Sequence, residues 1–377
     1  MRILYVGLGW RFTGGIAAFA RAAVGALADW AGRGPTPGRL HVMALHAERG
    51  PVPAERYGIE RAGLTVEGYA GRRLKMALNL AARLRRRGYD LIVCEHPNLM
   101  PAVAAAAPAS SRCVCFIYSF EVWYGLSAVR RIALRRADKL LALSHAAAEL
   151  TAGMGLRLPP IEVCHPGLED PCSDTDSRRK PASFPIVLTV GRMMRSERHK
   201  NHRTLLHVMA EVVRAVPDAM LVIVGEGDDR QEIAALGAAL GLGDHLLFTG
   251  EVSRAELDSW YRRAWVFAMP AEREGFGLVY LEAMARELPV VAGACGASLE
   301  IIDDGESGFL VSPTDHRELA RRIVALLEDN RLRAAIGRAG RVRFAQHFGA
   351  EQFARRLYQA LELESFAAEK PPAESAA

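Results

Sequence analysis

Residues 265–284 read Trp265-Val-Phe-Ala-Met269-Pro270-Ala-Glu-Arg-Glu274-Gly-Phe-Gly277-Leu-Val-Tyr-Leu-Glu282-Ala-Met284. Five apolar residues stopped by a proline predict a buried strand, Gly275 and Gly277 predict an open loop, and a helix begins near Gly277. A strand apolar on both faces that runs through a glycine loop into a helix is one unit of a parallel sheet covered on both sides. The same alternation extends outward in both directions. Strand candidates 186–190, 220–224, 245–248, 265–269 and 289–292 form one series, and 2–6, 41–45, 91–94, 113–118, 139–143 and 161–164 form another. Amphipathic helical patterns at 15–30, 74–87, 202–216, 230–240 and 254–263 fall between them. The expected fold class is α/β, two Rossmann-like doubly wound parallel-sheet domains facing across a cleft. They span 1–169 and 186–347, joined by a linker at 170–185 rich in Asp, Ser, Arg and Pro. A C-terminal helix at 348–366 is expected to pack back toward the first domain, before a disordered polar tail at 367–377.

The chain has 377 residues, of which 50% are hydrophobic and 24% charged, the balance of a soluble globular protein with room for two cores. No apolar run approaches the ~18 residues of a membrane span. The apolar start at 2–6 breaks at Gly7 without a convincing cleavage site, so it reads as a first strand rather than a signal peptide. Six cysteines without a C-x-x-C pair predict reduced core residues and a cytoplasmic protein. A net charge of +5 favours anionic partners, phosphates or acidic lipid headgroups, without selecting one.

Ligands of such sheets collect beyond the strand ends, where helix N-termini face anions. Glu274 sits in such a loop, Gly275 and Gly277 leave amides open to close approach, and Glu282 follows roughly one and a half turns along the helix. Amides for an anion and carboxylates for hydroxyls suit a ligand with both phosphates and vicinal hydroxyls. The plainer alternative is a first-turn glutamate favoured by the helix dipole and a surface glutamate. Likewise Val190-Gly191-Arg192 and Ser196-Glu-Arg-His-Lys200-Asn201-His202 put two cations directly after a strand, as an anion site or a solvated basic turn.

E-G-F-G-L-V-x-L-E-A-M resembles the E-x7-E signature of the family-4 retaining glycosyltransferases, which have the GT-B fold. The resemblance covers most of the second domain, with Gly191-Arg192 and Lys200 similar to that family's G-R…K-G element. It implies that Arg192 and Lys200 hold the donor diphosphate. It also implies that Glu274 and the amides of Phe276, Gly277, Leu278 and Val279, beside Gly275, meet the sugar and phosphates. Glu282 would bind the ribose, and the Val224-Gly-Glu-Gly227 and Thr249-Gly250-Glu251-Val252 loops would line the nucleotide pocket through Gly250 and Val252. Two positions depart from the pattern: Arg286-Glu287 replace the family's Cys-Gly, and Asn201 replaces a Gly.

In the first domain Gly7-x-Gly9 is half of a dinucleotide fingerprint, but Phe12 occupies the third glycine's place, a weak signal. Gly14-Gly15 better resembles the family's glycine loop that approaches the donor phosphates. Cys94-Glu95-His96-Pro97-Asn98-Leu99-Met100-Pro101 looks like its G-H-x-N-L-x-P segment, and Tyr118-Ser119-Phe120-Glu121-Val122-Trp123 like H-G-I-E-x-W. The implied acceptor-side residues are His96, Asn98, Glu121 and Trp123. His96 would orient the acceptor hydroxyl or support oxocarbenium charge; the alternative is a histidine capping a strand end. Tyr118-Ser119 replace the family's His-Gly.

Arg72, Arg73, Lys75, Arg83, Arg85, Arg86 and Arg87 flank an apolar stripe of Leu74, Leu78, Ala81 and Leu84, and Arg130, Arg131, Arg135 and Arg136 form a second group. Two readings stand: a solvated face, or docking onto an anionic membrane from the cytoplasmic side. Without interleaved aromatics these helices do not suggest nucleic acid. Asp174-Thr-Asp176 matches a metal-binding D-x-D triplet, yet it lies in the linker and reads as linker charge. The catalytic set expected is therefore Arg192, Lys200, Glu274 and His96, with no metal and no cofactor beyond the nucleoside-diphosphate sugar as co-substrate. The expected reaction transfers a hexose, with retention, to a glycan or polyprenol-linked acceptor in bacterial surface polysaccharide assembly. The alternatives are a nucleotide-sugar isomerase on the same fold and a non-catalytic carbohydrate-binding relative.

Overall fold

The computed structural model describes residues 1–9, 14–33, 39–59, 61, 63–123, 125–171 and 181–363, and all their side chains except those of Phe120 and Glu121. They form two compact units, Met1–Gly167 with the segment from Ala350 onward, and Leu168–Gly349.

The first unit is built on β1 (Arg2–Gly7), β2 (Arg39–Ala44), β3 (Gly50–Pro53), β4 (Thr65–Gly68), β5 (Leu91–Cys94), β6 (Arg112–Ile117), β7 (Lys139–Ala142) and β8 (Ile161–Val163). They lie in the order β3-β4-β2-β1-β5-β6-β7-β8. Every pairing is parallel except β3 against β4. The sequence candidates lacked β3 and β4. Two prolines in Gly50-Pro-Val-Pro53 read as breakers, and the edge position tolerates them because one side of the strand needs no N–H.

The helix Arg73–Arg86 divides the apolar stripe read from sequence. It turns Met76, Leu80 and Leu84 inward and leaves Leu74 and Leu78 74% and 63% exposed. The helix Ala350–Ala360 completes this unit: Tyr358 donates to Ala26 O at 2.7 Å, and Phe353 lies 5.8 Å from Phe19, ring to ring. Beyond it, Trp30 Nε1 donates to Leu363 O at 3.2 Å, and Lys139 Nζ to Ala360 O at 2.9 Å.

The second unit holds β9 (Ile186–Val190), β10 (Met220–Val224), β11 (Leu246–Gly250), β12 (Val266–Met269), β13 (Val290–Gly293) and β14 (Phe309–Val311). All six are parallel, in the order β11-β10-β9-β12-β13-β14. The helices His202–Ala215 and His316–Glu328 close one face, burying Leu205, Met209 and Ile323 against Val187, Ile223 and Val266. The helix Arg254–Arg263 starts at a capping box of Ser253 and Glu256.

Both sheets are doubly wound, as the alternation predicted. Strand order reverses between β1 and β5 in the first and between β9 and β12 in the second, which opens a crevice at the strand C-termini.

Candidate active site

Beyond β9 the backbone of Gly191 donates to Val224 O at 3.0 Å, so its loop runs against the end of β10. Gly225 has φ 139°, and a Cβ there would collide with Gly191 O, so only glycine permits the approach. Gly225 N–H also donates to Gly250 O at 3.0 Å, which brings the end of β11 to the same rim, with Val252 half-buried two residues on.

Arg192 and Lys200 converge on a residue absent from the expected set. Glu197, buried in the 3-10 segment Arg195–Lys200, ion-pairs with Arg192, and its second oxygen lies 3.2 Å from Lys200 Nζ. The only sequence signal for it was the i, i+3 spacing to Lys200. Lys200 also lies over Gly191, where a Cβ would stand 3.5 Å from Nζ. Buried His202 has its pKa pushed down to about 4, first by burial and then by the Lys200 charge. Lys200 rather than that imidazole therefore carries positive charge here. Asn201 adopts φ 60°, a backbone state that asparagine tolerates better than most residues, and its Nδ2 donates to Pro270 O at 3.0 Å. With Glu272 N–H donating to His199 O at 2.8 Å, this ties the β9 loop to the loop after β12.

Across that seam lies Glu274. Its carboxylate accepts the Gly275 N–H at 3.1 Å and also the Phe276 N–H, so two of the expected donor amides are engaged by the glutamate itself. Burial raises its pKa, and the positive charge of Lys200 is the first influence opposing that rise. Gly277, at φ 91°, caps the helix Leu278–Met284, and a Cβ there would collide with the Tyr280 ring. Tyr280 in turn donates to Met269 O at 3.1 Å, which locks the loop onto the strand it leaves. The amides of Leu278 and Val279 begin the helix, whose first turn leaves N–H groups without intrahelical partners. Phe276 is buried, 6.1 Å from the Phe348 ring.

Glu282 accepts the hydroxyl of buried Tyr261 at 2.7 Å. Arg286, one of the departures from the family pattern, donates to Glu282 O at 2.7 Å, pairs with Asp258 at 2.7 Å and covers the Tyr261 ring at 5.1 Å. The substitution thus braces the helix that carries Glu282.

In the first unit, Gly14 (φ 132°) precedes the helix Gly15–Gly32, with both glycines exposed. His96 is buried at the end of β5; its Nδ1 accepts the Asn98 N–H at 3.1 Å, and its ring lies 5.4 Å from that of Tyr118. A ring whose Nδ1 accepts this bond has only Nε2 left to donate. The backbone of Glu121 and half-buried Trp123 fall in the short helix Ser119–Trp123. Beside His96, Glu95 is fully buried, a residue that sequence reading passed over. In the second unit the structure thus brings Arg192 and Lys200 together through Glu197, with Glu274 in the field of Lys200, and in the first it joins His96 to Asn98. Phe12, Asp174 and Asp176 lie outside the described residues.

Residues 173–343 match the family described as Glycosyl transferases group 1, and residues 14–170 match Glycosyltransferase Family 4. The chain belongs to the family-4 glycosyltransferases. A GDP-mannose-dependent alpha-(1-6)-phosphatidylinositol monomannoside mannosyltransferase of Mycolicibacterium smegmatis is 29% identical over 360 residues, 87% of this chain and 89% of that protein. A phosphatidyl-myo-inositol mannosyltransferase of Mycobacterium leprae is 38% identical over 161 residues, 42% of each chain. The crystal structure of HepE from Anabaena in complex with UDP has a TM-score of 0.77 at 20% identity, covering 96% of this chain and 100% of that one. Sucrose-phosphate synthase from Thermosynechococcus elongatus also reaches 0.77, at 22% identity, covering 98% and 100%. The glycosyltransferase therefore has the GT-B fold, and it uses a nucleotide-sugar donor. Among the described residues no helix is long and apolar enough to cross a membrane.

Proposed function

We propose that this glycosyltransferase moves a hexose, with retention of configuration, from a nucleoside-diphosphate donor to a hydroxyl of a lipid-linked or glycan acceptor in bacterial surface polysaccharide assembly. The observation that carries the reading is the pair Arg192 and Lys200 held by one buried carboxylate, with Glu274 within the field of Lys200. As the bond from the anomeric carbon to the diphosphate oxygen breaks, negative charge builds on the leaving group. Two fixed cations offset it in place of a divalent metal. The acceptor oxygen bonds to that carbon on the same face, and its proton passes to the departing diphosphate, so no dedicated base is nominated. Glu274 and the amides of Leu278 and Val279 position the sugar and phosphates, and Glu282, steadied by Tyr261, takes the ribose hydroxyls. His96, Asn98, Glu121 and Trp123 serve the acceptor side.

The Mycolicibacterium relative is GDP-mannose-dependent, which makes GDP-mannose the donor to test first. Exposed Leu74, Leu78, Val129 and Ile132 among basic residues support docking on an anionic inner leaflet, where each near-surface cation contributes about 1 kcal/mol.

The test incubates purified protein with GDP-mannose and an inositol-lipid or polyprenol-linked acceptor, with NMR of the product's anomeric centre. Lys200→Ala and Glu274→Ala should each lower turnover by roughly a hundredfold or more while remaining folded. Full activity in both variants would overturn the site, an inverted product would overturn retention, and conversion of donor alone would favour the isomerase.

A further inference from the structure

Where β3 and β4 carry the first sheet past the helix Arg73–Arg86, they leave a cavity of about 510 Å³. Its walls hold Arg49, Arg72, Lys75, Arg83 and Arg87 against a single carboxylate, Glu67. Glu67 is already committed, since it pairs with Arg83 and accepts the Tyr69 hydroxyl at 2.7 Å. Among the described residues, Arg49, Arg72, Lys75 and Arg87 have no ion-pair partner. The spacing 72, 75, 79, 83, 87 puts one flank of the helix along the cavity, so the cations converge instead of scattering around the helix. At the floor, His41 Nδ1 is buried without a hydrogen-bond partner. Burial, and then the charges of Arg83 and Arg87, lower the pKa of His41, as expected for an imidazole beside these cations.

Four unpaired cations around a concave, polar space need an anion with several acceptor oxygens. Phosphate esters meet that demand better than a lone carboxylate does. We propose that this cavity is a phosphate-ester site, and that it holds the headgroup phosphate of an anionic lipid while Leu74 and Leu78, on the outward face of the same helix, meet the acyl region. The site deepens the docking part of the proposed function and does not depend on sugar transfer.

The test is flotation of the full chain with phosphatidylcholine vesicles, with and without phosphatidylinositol. Inorganic phosphate serves as competitor, with ionic strength held constant by chloride. Lys75→Ala/Arg87→Ala, two exposed cavity residues, is compared with Arg85→Ala/Arg86→Ala, which removes the same charge from outside the cavity. The cavity pair should weaken phosphatidylinositol binding roughly tenfold more than the outer pair, and free phosphate should displace the wild type. If wild type ignores the vesicles yet binds phosphate, and the cavity pair does not, the phosphate-ester site stands with a soluble ligand and the docking reading fails. Equal losses in both pairs, or vesicle binding that persists in the cavity pair, would overturn the site while leaving diffuse electrostatic docking intact.

Discussion

The carboxylate of Glu197 stands 3.2 Å from Lys200 Nζ while nearly all of its own surface is withdrawn from water. A buried carboxylate that holds a cation beside the proposed diphosphate site fixes where that cation points and does not itself need to touch the ligand. Glu197→Gln keeps the shape and removes the charge. It should lower kcat/KM by roughly tenfold to a hundredfold, because small misplacements of a charge-stabilising group cost about that much. Steady-state kinetics beside circular dichroism would check this. A folded variant with wild-type kcat/KM would show that Arg192 and Lys200 need no such support.

If Arg192 and Lys200 supply the charge, as proposed, a chelator should leave the transfer rate unchanged. Assays with EDTA, and with magnesium or manganese restored, are the measurement; a rate that collapses with EDTA and returns with metal would require a cation in the donor site.

Glu95 yields a pH prediction. It is fully buried; Oε2 accepts the Tyr5 hydroxyl at 2.9 Å, the Leu8 N–H also donates to the carboxyl group, and Oε1 is buried without a partner. Burial pushes its pKa from 4.5 to about 8. Between these values the folded protein holds a proton that the unfolded chain has released. Stability is therefore greatest below the lower value and falls as pH rises through the upper one, by about 1.4 kcal/mol per pH unit for this group. Glu95→Gln should remove that slope, so denaturant melts of the variant and wild type should converge in acid and separate in mild alkali. Parallel pH profiles would mean the carboxyl is ionised in the fold.

Glu287 holds φ 55°, a left-handed conformation costly for a glutamate, and its carbonyl packs where a Cβ on Gly337 would collide. Glu287→Gly should stabilise the second unit by about 0.5–1 kcal/mol and raise its melting temperature by roughly 2 °C. A thermal melt that moves downward would show that the glutamate compensates for its backbone.

The strand, loop and helix at 265–284 were legible because a buried strand, two glycines and a helical period each mark themselves locally. Glu197 was not. A glutamate among arginines, serine and histidine reads as a wet turn, whereas in the fold it is buried and paired with Arg192 and Lys200. β3 and β4 were hidden by prolines and by strands of only four residues. The helix Arg73–Arg86 was recognised, but which of its apolar residues face the core was not. Leucines at 74 and 78 suggest burial by type, whereas the sheet takes the neighbouring row Met76, Leu80 and Leu84. The engagement of Gly275 and Phe276 amides by Glu274 is likewise a matter of side-chain direction, on which spacing alone is silent.

The helix Ala350–Ala360 also sets a timetable for synthesis. The first 167 residues leave the ribosome long before the element that seals them, because all of Leu168–Gly349 is made in between. At ribosomal rates that gap lasts on the order of ten seconds or more. Throughout it the helix Gly15–Gly32 offers Phe19, and the Ala26 carbonyl that Tyr358 will claim, to whatever is nearby. Until then Phe19 lacks the Phe353 ring that packs on it, and the second unit is the first of the two able to finish folding.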